Sequence, residues 1–540
     1  NDGNDLPLVT TRRFEADTAG GSLSAGLLTN PLWYAAKWGG FDDVNNNGIP
    51  DLTDEWDKDG DGNPDTYFYV VNPLKLEEQL NKSFADILEK AASGTAASVL
   101  ATNSEGEGNL VQAYFKPRMS TSTNDLTWLG YLQSLWVDPW GNLREDSDSD
   151  GQLDLTNSSD STTAIDADKI IVYTTNSDGD TVVIRYTAHH LYDPRNGLNS
   201  DCYLDKLTPA IACPDLTDSD NYATVGISDI TPIFEAGDML RQRSADDRKI
   251  FTFIDGDGQD NDLDGLVDES GEEQITGYKY NGQVLNPDES PFDNTDEVIL
   301  FSESNLAKIR PFLGVEESTQ WTYLDASSGF DHDTRASNLI NYIRGKDSTD
   351  LVGNPDTRTR SLDDGTVWKL GDIVNSTPVS ISTAPDSYHL IYGDESYQSY
   401  LNSTKNRETV IYSGANDGML HAFTSWKYDN GSYTKLSGKL EGLGDELWAY
   451  IPQTLLPHLK FLAATDYAHS FYVDAKPKLF DARIFSPSTT HPGGWGTILL
   501  VGLNYGGKHI WVEDDFGDGV VTRNFYPTYV CMDVTNPREP

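Results

Sequence analysis

The sequence predicts a mainly β protein with minor α-helix, and three observations carry that prediction. Short apolar runs of strand length recur between turn residues: "KIIVYTT" from Lys169, "TVVIRYTA" from Thr181, "ETVIYSGANDGMLHAF" from Glu408 and "TILLVGLNYGG" from Thr497. Only one long stretch, Asn72 to Gly94, carries the apolar period of a helix. An acidic, loop-rich first half gives way near Gly365 to a half that reads as regular all-β.

In the long helical stretch, Asn72 can cap the first turn and Pro73 fits inside it. Leu76, Leu80, Phe84, Ile87 and Ala91 then form one apolar stripe, and Gly94 is the expected stop. "TYFYV", just upstream, reads as a strand. Two shorter helices are expected, one in "TPIFEAGDMLRQR" behind Thr231 and Pro232, the other in "DTRASNLINYIRG" ending at Gly345.

Composition narrows the function. With 86 acidic and 39 basic residues, the formal charge of the 540-residue chain is −47. That sign argues against nucleic acid, which needs a cationic surface, and against an anionic membrane face. Disorder is countered by 12 Trp, 27 Tyr and 19 Phe, enough aromatic surface for packed cores. No apolar run reaches the 18 residues of a membrane-spanning helix, so no membrane span is expected. The three cysteines are too few for a disulfide scaffold. Cys202 and Cys213 are placed to close a short loop, and Cys531 has no evident partner.

The acidic residues are patterned. Asp43, Asn45, Asn47, Asp51 and Asp54 stand at positions 1, 3, 5, 9 and 12 of a loop with Gly48 at position 6. A second loop has Asp57, Asp59, Asp61 and Asp65 around Gly62, and a third has Asp146, Asp148, Asp150 and Asp154 around Gly151. The fourth, "DNDLDGLVDE", has Asp260, Asp262, Asp264 and Asp268 around Gly265. Oxygen ligands at alternate positions, with a glycine that lets the chain fold back, are the pattern of a calcium loop. Solvated Asx turns in acidic linkers would give similar composition, but not four glycines in the same register. Only the first loop has a carboxylate at position 12, and no flanking helices are expected. Isolated calcium loops that stiffen long connections are therefore predicted, not paired EF-hand sensors.

The second half carries longer motifs in a fixed order: "WKLGDIVNSTPV" from Trp368, "VIYSGANDGMLHAF" from Val410, "ELWAYIPQTLLPHL" from Glu446, "YAHSFYVDAKP" from Tyr467 and "GWGTILLVGLNYGG" from Gly494. With "WYAAKWGGF", "LVQAYFKP", "GYLQSLWVDPWGNLRED" and "LINYIRG" upstream, this order resembles the PilC/PilY type IV pilus tip-associated proteins over nearly the whole chain. The resemblance implies a β-propeller in a secreted, calcium-responsive protein at the pilus tip that supports pilus assembly and adhesion. Minor pilins or a pilus tip complex are the implied partners, along with a surface or host ligand that the sequence leaves open.

On this reading, residues 1–100 are the C-terminal remnant of a von Willebrand A-like domain with tandem calcium loops. Residues 101–364 are a β-rich connecting domain with calcium loops and short helices, and 365–540 are the first part of the propeller. The Asp-x-Ser-x-Ser motif of a von Willebrand A metal site is absent; "DASS" at Asp325 is neither spaced nor placed for it. The remaining propeller strands are expected in a continuation of the polypeptide or in a second chain. The competing functional reading is a secreted quinoprotein-like oxidoreductase, because "SGANDGMLHAF" followed by "ELWAYIP" also resembles the blades of those enzymes. Against it, Thr424 replaces the docking Asp, there is no adjacent cysteine pair, and no hydrolase, zincin or nucleotide motif appears. His421 and His469 are expected to be packed or hydrogen-bonded and not catalytic. No catalytic residues are assigned.

Overall fold

The protein is described from a computed structural model covering residues 31–39, 41, 49–57, 60, 62–64, 181–186 and 222–254, most of 108–175, most of 297–325, most of 331–540, and short strands at 93–99, 279–280 and 283–284. It divides into two units, Asn1–Asp86 and Ile87–Pro540. In the first, helix α1 (Pro31–Gly39) places Trp33 edge-on to Trp56 at 5.4 Å between ring centroids. Lys37 Nζ lies 3.8 Å from the centroid of the same indole, a cation–π contact that fixes the turn Thr53–Glu55 beside the helix.

The second unit opens with an antiparallel sheet of eight strands. These are β1 (Ser93–Val99), β2 (Gly108–Ser120), β3 (Asp125–Val137), β4 (Leu143–Arg144), β7 (Ile170–Thr175), β8 (Thr181–Tyr186) and β9 (Tyr222–Gly226) in that spatial order, with β10 (Phe234–Glu235) on β3. A small hairpin, β5 (Ser158–Asp160) and β6 (Thr163–Ile165), stands outside it. Strands β2 and β3 alternate apolar faces, as the two-residue period requires. Val111, Ala113, Leu132 and Trp136 bury against Phe234, Leu240 and Phe423, while Tyr114 and Tyr131 stack at 4.6 Å on the opposite face and meet Trp368.

Helix α2 (Ala236–Gln242) follows β10 directly. Its cap is Glu235, whose carboxylate accepts from the Gly237 and Asp238 N–H groups, so the helix begins later than Thr231–Pro232 suggests. A six-stranded sheet forms next, from β11 (Ile250–Ile254), β14 (Glu297–Leu300), β15 (Val379–Ile381), β16 (Val410–Gly414), β17 (Leu420–Thr424) and β20 (Glu446–Ile451). Its order is β14-β11-β20-β17-β16-β15. The hairpins β12–β13 (Lys279–Tyr280, Gln283–Val284) and β18–β19 (Lys427–Asp429, Ser432–Thr434) are separate. All pairs in the six-stranded sheet are antiparallel except β11 with β20, where Ile250 sits opposite Ala449.

Helices α3 (Leu306–Leu313) and α4 (His332–Arg344) cover this sheet. Helix α4 ends where expected: Gly345 adopts φ +116° and its N–H returns to Asn341 and Tyr342 carbonyls, an αL cap that a side chain would strain. Leu339, Ile340, Tyr342 and Ile343 of α4 share one core with Tyr412, Leu420, Trp448 and Leu455. Strands β21 (Lys478–Arg483), β22 (Trp495–Gly502) and β25 (Tyr529–Asp533) make a three-stranded sheet, and β23 (Ile510–Asp515) pairs with β24 (Val520–Phe525).

The second half is not all-β. Helices α5 (Tyr388–Ile391) and α6 (Glu395–Thr404) and a 3₁₀ run over Gln453–Ala463 interrupt its strands. Asp394 starts α6 by accepting from the Ser396 and Tyr397 N–H groups. Near Gly94, where the long helix was expected to stop, β1 is already extended from Ser93. The rest of that helix, the strand before it and Cys202 with Cys213 lie outside the described residues; Cys531 is a half-buried free thiol in β25. Among the described residues no helix is long and apolar enough to cross a membrane.

Candidate metal centre

Of the four acidic loops, the third has the most candidate ligands among the described residues. It leaves β4 at Glu145 and returns to the sheet through Asp168 and Lys169, just before β7. Asp146 Oδ2 accepts from Gly151 N at 3.0 Å, the bond between positions 1 and 6 that curls such a loop. Ser149 and Gly151 both take left-handed backbone, with φ of 61° and 72°. Asp168 holds the loop from the far side, accepting from Ser147 N at 2.8 Å and Asp154 N at 2.9 Å. Beneath it, fully buried Arg144 donates to Asp138 Oδ2 at 2.9 Å and to the Asp168 carbonyl at 2.6 Å.

Carboxylate oxygens of Asp146, Asp148 and Asp168 lie within 4.8 Å of one another. Burial pushes Asp168 up to about 7 against its two N–H bonds, and the negative charges of Asp146 and Asp154 add to the effect. Three acidic groups drawn together at that cost are a donor set suited to a hard cation, whose charge would reverse the effect. Asp154 is half-buried behind the cluster, and Asp150 lies outside the described residues. Asp168 was not singled out in the sequence because it stands 14 residues past Asp154, outside any twelve-residue loop; "DADK" leading into an apolar strand was the available signal.

The second loop repeats part of this geometry. Asp57 Oδ2 accepts from Gly62 N at 3.0 Å, and Gly60 and Gly62 are left-handed with φ of 71° and 85°. Asp59, Asp61 and Asp65 lie outside the described residues, as do Asp43, Asn45 and Asn47 of the first loop and Asp260, Asp262, Asp264 and Asp268 of the fourth. Of the first loop's remaining candidates, Asp51 is exposed and Asp54 contributes backbone to the turn Thr53–Glu55. The buried carboxylate there is Glu55, which the sequence pattern did not mark. Glu55 Oε2 accepts from Leu52 N at 3.1 Å, whereas Glu55 Oε1 and Asp57 Oδ1 are buried without a hydrogen bond among the described residues.

In the second half, the ordered motifs meet in space. Asn375 donates to Asp474 through its backbone and side chain, at 3.2 and 2.8 Å, and Asn504 donates to the same carboxylate at 2.8 Å. Asn416 links Asp372, at 2.8 Å, to the backbone of Tyr472, at 3.0 Å. His469 bonds Asp372 at 2.7 Å with its ring 3.8 Å from that of Trp128, and His421 is buried between Asp417 and Glu446. Both histidines are therefore hydrogen-bonded within the structure. Residues scattered from Asp372 to Asn504 are thus held together by their own polar side chains. Residues 370–527 match the family described as the PilY1 beta-propeller domain.

This match and the relatives that follow support the PilC/PilY family for this chain. A type IV pilus biogenesis factor PilY1 homolog of Xylella fastidiosa is 24% identical over 531 residues, which is 95% of this chain and 25% of that protein. The type IV pilus biogenesis factor PilY1 of Pseudomonas aeruginosa strain PAK is 31% identical over 188 residues, 34% of this chain and 13% of that protein. The chain thus spans a quarter or less of these PilC/PilY relatives. No solved structure gives a significant match.

Proposed function

We propose that this chain is a calcium-stiffened part of a type IV pilus biogenesis factor that is secreted, resides at the pilus tip and supports pilus assembly and adhesion. The observation that carries the pilus reading is the PilY1 propeller match over the segment where the ordered motifs interlock. The named relatives are pilus biogenesis factors, so the oxidoreductase alternative is not favoured. Minor pilins fit as partners through strand addition: among the described residues β14 is an edge strand, and its Val298 and Leu300 are 65% and 43% exposed. In the native host, a null allele should abolish or sharply reduce surface pili and attachment. Normal piliation together with normal attachment would sink this reading.

Calcium is supported by the converging carboxylates of the third loop and by the repeated bond between positions 1 and 6 in the second. Asp146, Asp148 and Asp168 would hold the ion, with the remaining loops taking others. A ligand that binds only the folded state stabilises it by about 2.7 kcal/mol at 100 times its dissociation constant. Calcium should therefore raise the unfolding midpoint, and Asp168→Asn should remove one bound ion per chain and part of that rise. Calcium-free protein from a chelator-free purification, or no midpoint shift on adding calcium, would count against the calcium reading while leaving the pilus reading standing.

A further inference from the structure

A separate cluster lies where the ends of two helices meet the β23–β24 hairpin. Glu316 follows Gly314, the residue that ends α3; His332 is the first residue of α4; Asp514 is near the end of β23. One ligand atom from each lies within 4.8 Å of the others. The Asp514 side chain is only 4% exposed. Its Oδ1 accepts from Asp515 N at 2.7 Å, but its Oδ2 is buried without a hydrogen bond. His332 Nε2 is likewise buried without one, and these two atoms face each other across 3.5 Å. That gap is too long for a good hydrogen bond. These two buried atoms form an ion pair only when His332 is protonated; with the imidazole neutral, a cation between them satisfies both.

We propose that Glu316, His332 and Asp514 form a binding site for a divalent transition metal of the zinc class. The imidazole decides the class. Calcium takes six to eight oxygens, whereas a set of one neutral imidazole nitrogen and two carboxylates suits zinc and its neighbours. Arg310 lies nearby with Nη1 on Asp333 Oδ1 at 2.8 Å and a buried Nε that makes no hydrogen bond, and Asp514 Oδ2 accepts from neither. Glu316 is exposed, which leaves a path for the ion to enter. Once bound, the ion would tie α3, α4 and β23 together across 198 positions of sequence from Glu316 to Asp514. It is a structural staple, distinct from the acidic loops in place and in metal preference.

The test uses the full chain, stripped with chelator and returned to excess calcium so that the acidic loops are occupied. Cobalt(II) is then titrated as a coloured stand-in for zinc. One equivalent should bind with a visible absorption band that zinc abolishes by displacement. His332→Gln should weaken uptake by at least about tenfold, the lower end of the loss seen when even an outer-sphere partner of a metal ligand is removed. Asp148→Asn, in the third loop, should leave cobalt uptake unchanged. Because His332 is partly buried, Glu316→Gln, at an exposed position, provides the check on folding and should also weaken uptake. Absence of saturable cobalt binding in excess calcium would overturn the proposal. So would uptake undiminished in both His332→Gln and Glu316→Gln, or uptake lost equally in Asp148→Asn.

Discussion

Replacing Arg248 by Met should lower the stability of the second unit by about 3–5 kcal/mol, because it leaves a buried carboxylate without its main partner. Arg248 and Glu446 are both fully buried and paired through two bonds of 2.8 Å. The same guanidinium donates to the Arg344 carbonyl at 3.0 Å, joining the end of α4 to the sheet. Glu446 also bonds His421 Nδ1 at 2.8 Å, and His421 Nε2 lies 3.1 Å from Asp417. Burial by itself would depress His421; the carboxylates of Asp417 and Glu446 prevail and push it up to about 9. Burial would likewise raise Glu446, but Arg248 and His421 hold it well below the usual carboxylate range.

These directions fix the pH dependence. A histidine raised from 6.5 to about 9 contributes stability that is complete below about pH 6.5 and is lost as pH climbs through 9. The depressed Glu446 contributes above its ordinary range and loses that contribution as pH falls toward its folded value. Urea midpoints should therefore decline between about pH 6.5 and 9, and His421→Gln should flatten that decline. Arg248→Met combined with Glu446→Leu should recover much of the loss, since a buried pair exchanged for apolar groups of similar volume is often neutral. A cost below about 1 kcal/mol for Arg248→Met alone would show that water reaches this network.

Gly130→Val is the second large effect, expected to cost about 3 kcal/mol or more. Gly130, in β3, and Gly371, in the first of the ordered motifs, touch backbone to backbone. Gly130 N donates to the Leu370 carbonyl at 3.1 Å, and Leu129 bridges Gly371. A Cβ on Gly130 would stand 1.8 Å from the Gly371 oxygen, and one on Gly371 would stand 2.5 Å from the Asp417 nitrogen. Neither obstacle is a flexible side chain that could turn away. The eight-stranded sheet would have to separate from the Trp368–Asp372 segment, exposing Tyr131 and Trp368. Gly39→Ala, where an added Cβ meets nothing within 4 Å, is the control and should change the midpoint little. Equal midpoints for Gly130→Val and the control would refute the close approach.

What could be read from the sequence was local. Strands such as Ile170–Thr175 and Thr181–Tyr186 are apolar runs bounded by turn residues, and the end of α4 at Gly345 is a property of one glycine. Helix α6 was not legible, because "ESYQSYLNST" is polar enough to pass for a loop and depends on Tyr397 and Tyr400 packing against Trp495 from another element. The acidic loops showed their own periodic ligands but not Asp168, which arrives through the sheet. Glu316, His332 and Asp514 were invisible for the same reason: none has a patterned neighbour, and only the fold brings them together. Pairings between distant segments leave no periodic trace in the sequence.

The parallel partnership of β11 with β20 has a consequence for how the molecule acquires its shape. Ile250 meets Ala449 across 199 positions of chain, and the matched propeller segment begins only at residue 370. The sheet therefore includes an inner strand, between β14 and β20, from well outside that segment. A nascent chain that has not reached Glu446 holds β11 with one flank bare, and loop closure over such a span is entropically slow. Assembly of this layer is consequently a late event, in which an early-made strand waits for its neighbour. During that interval the open flank of Ile250–Ile254 is the place most in need of protection from other chains.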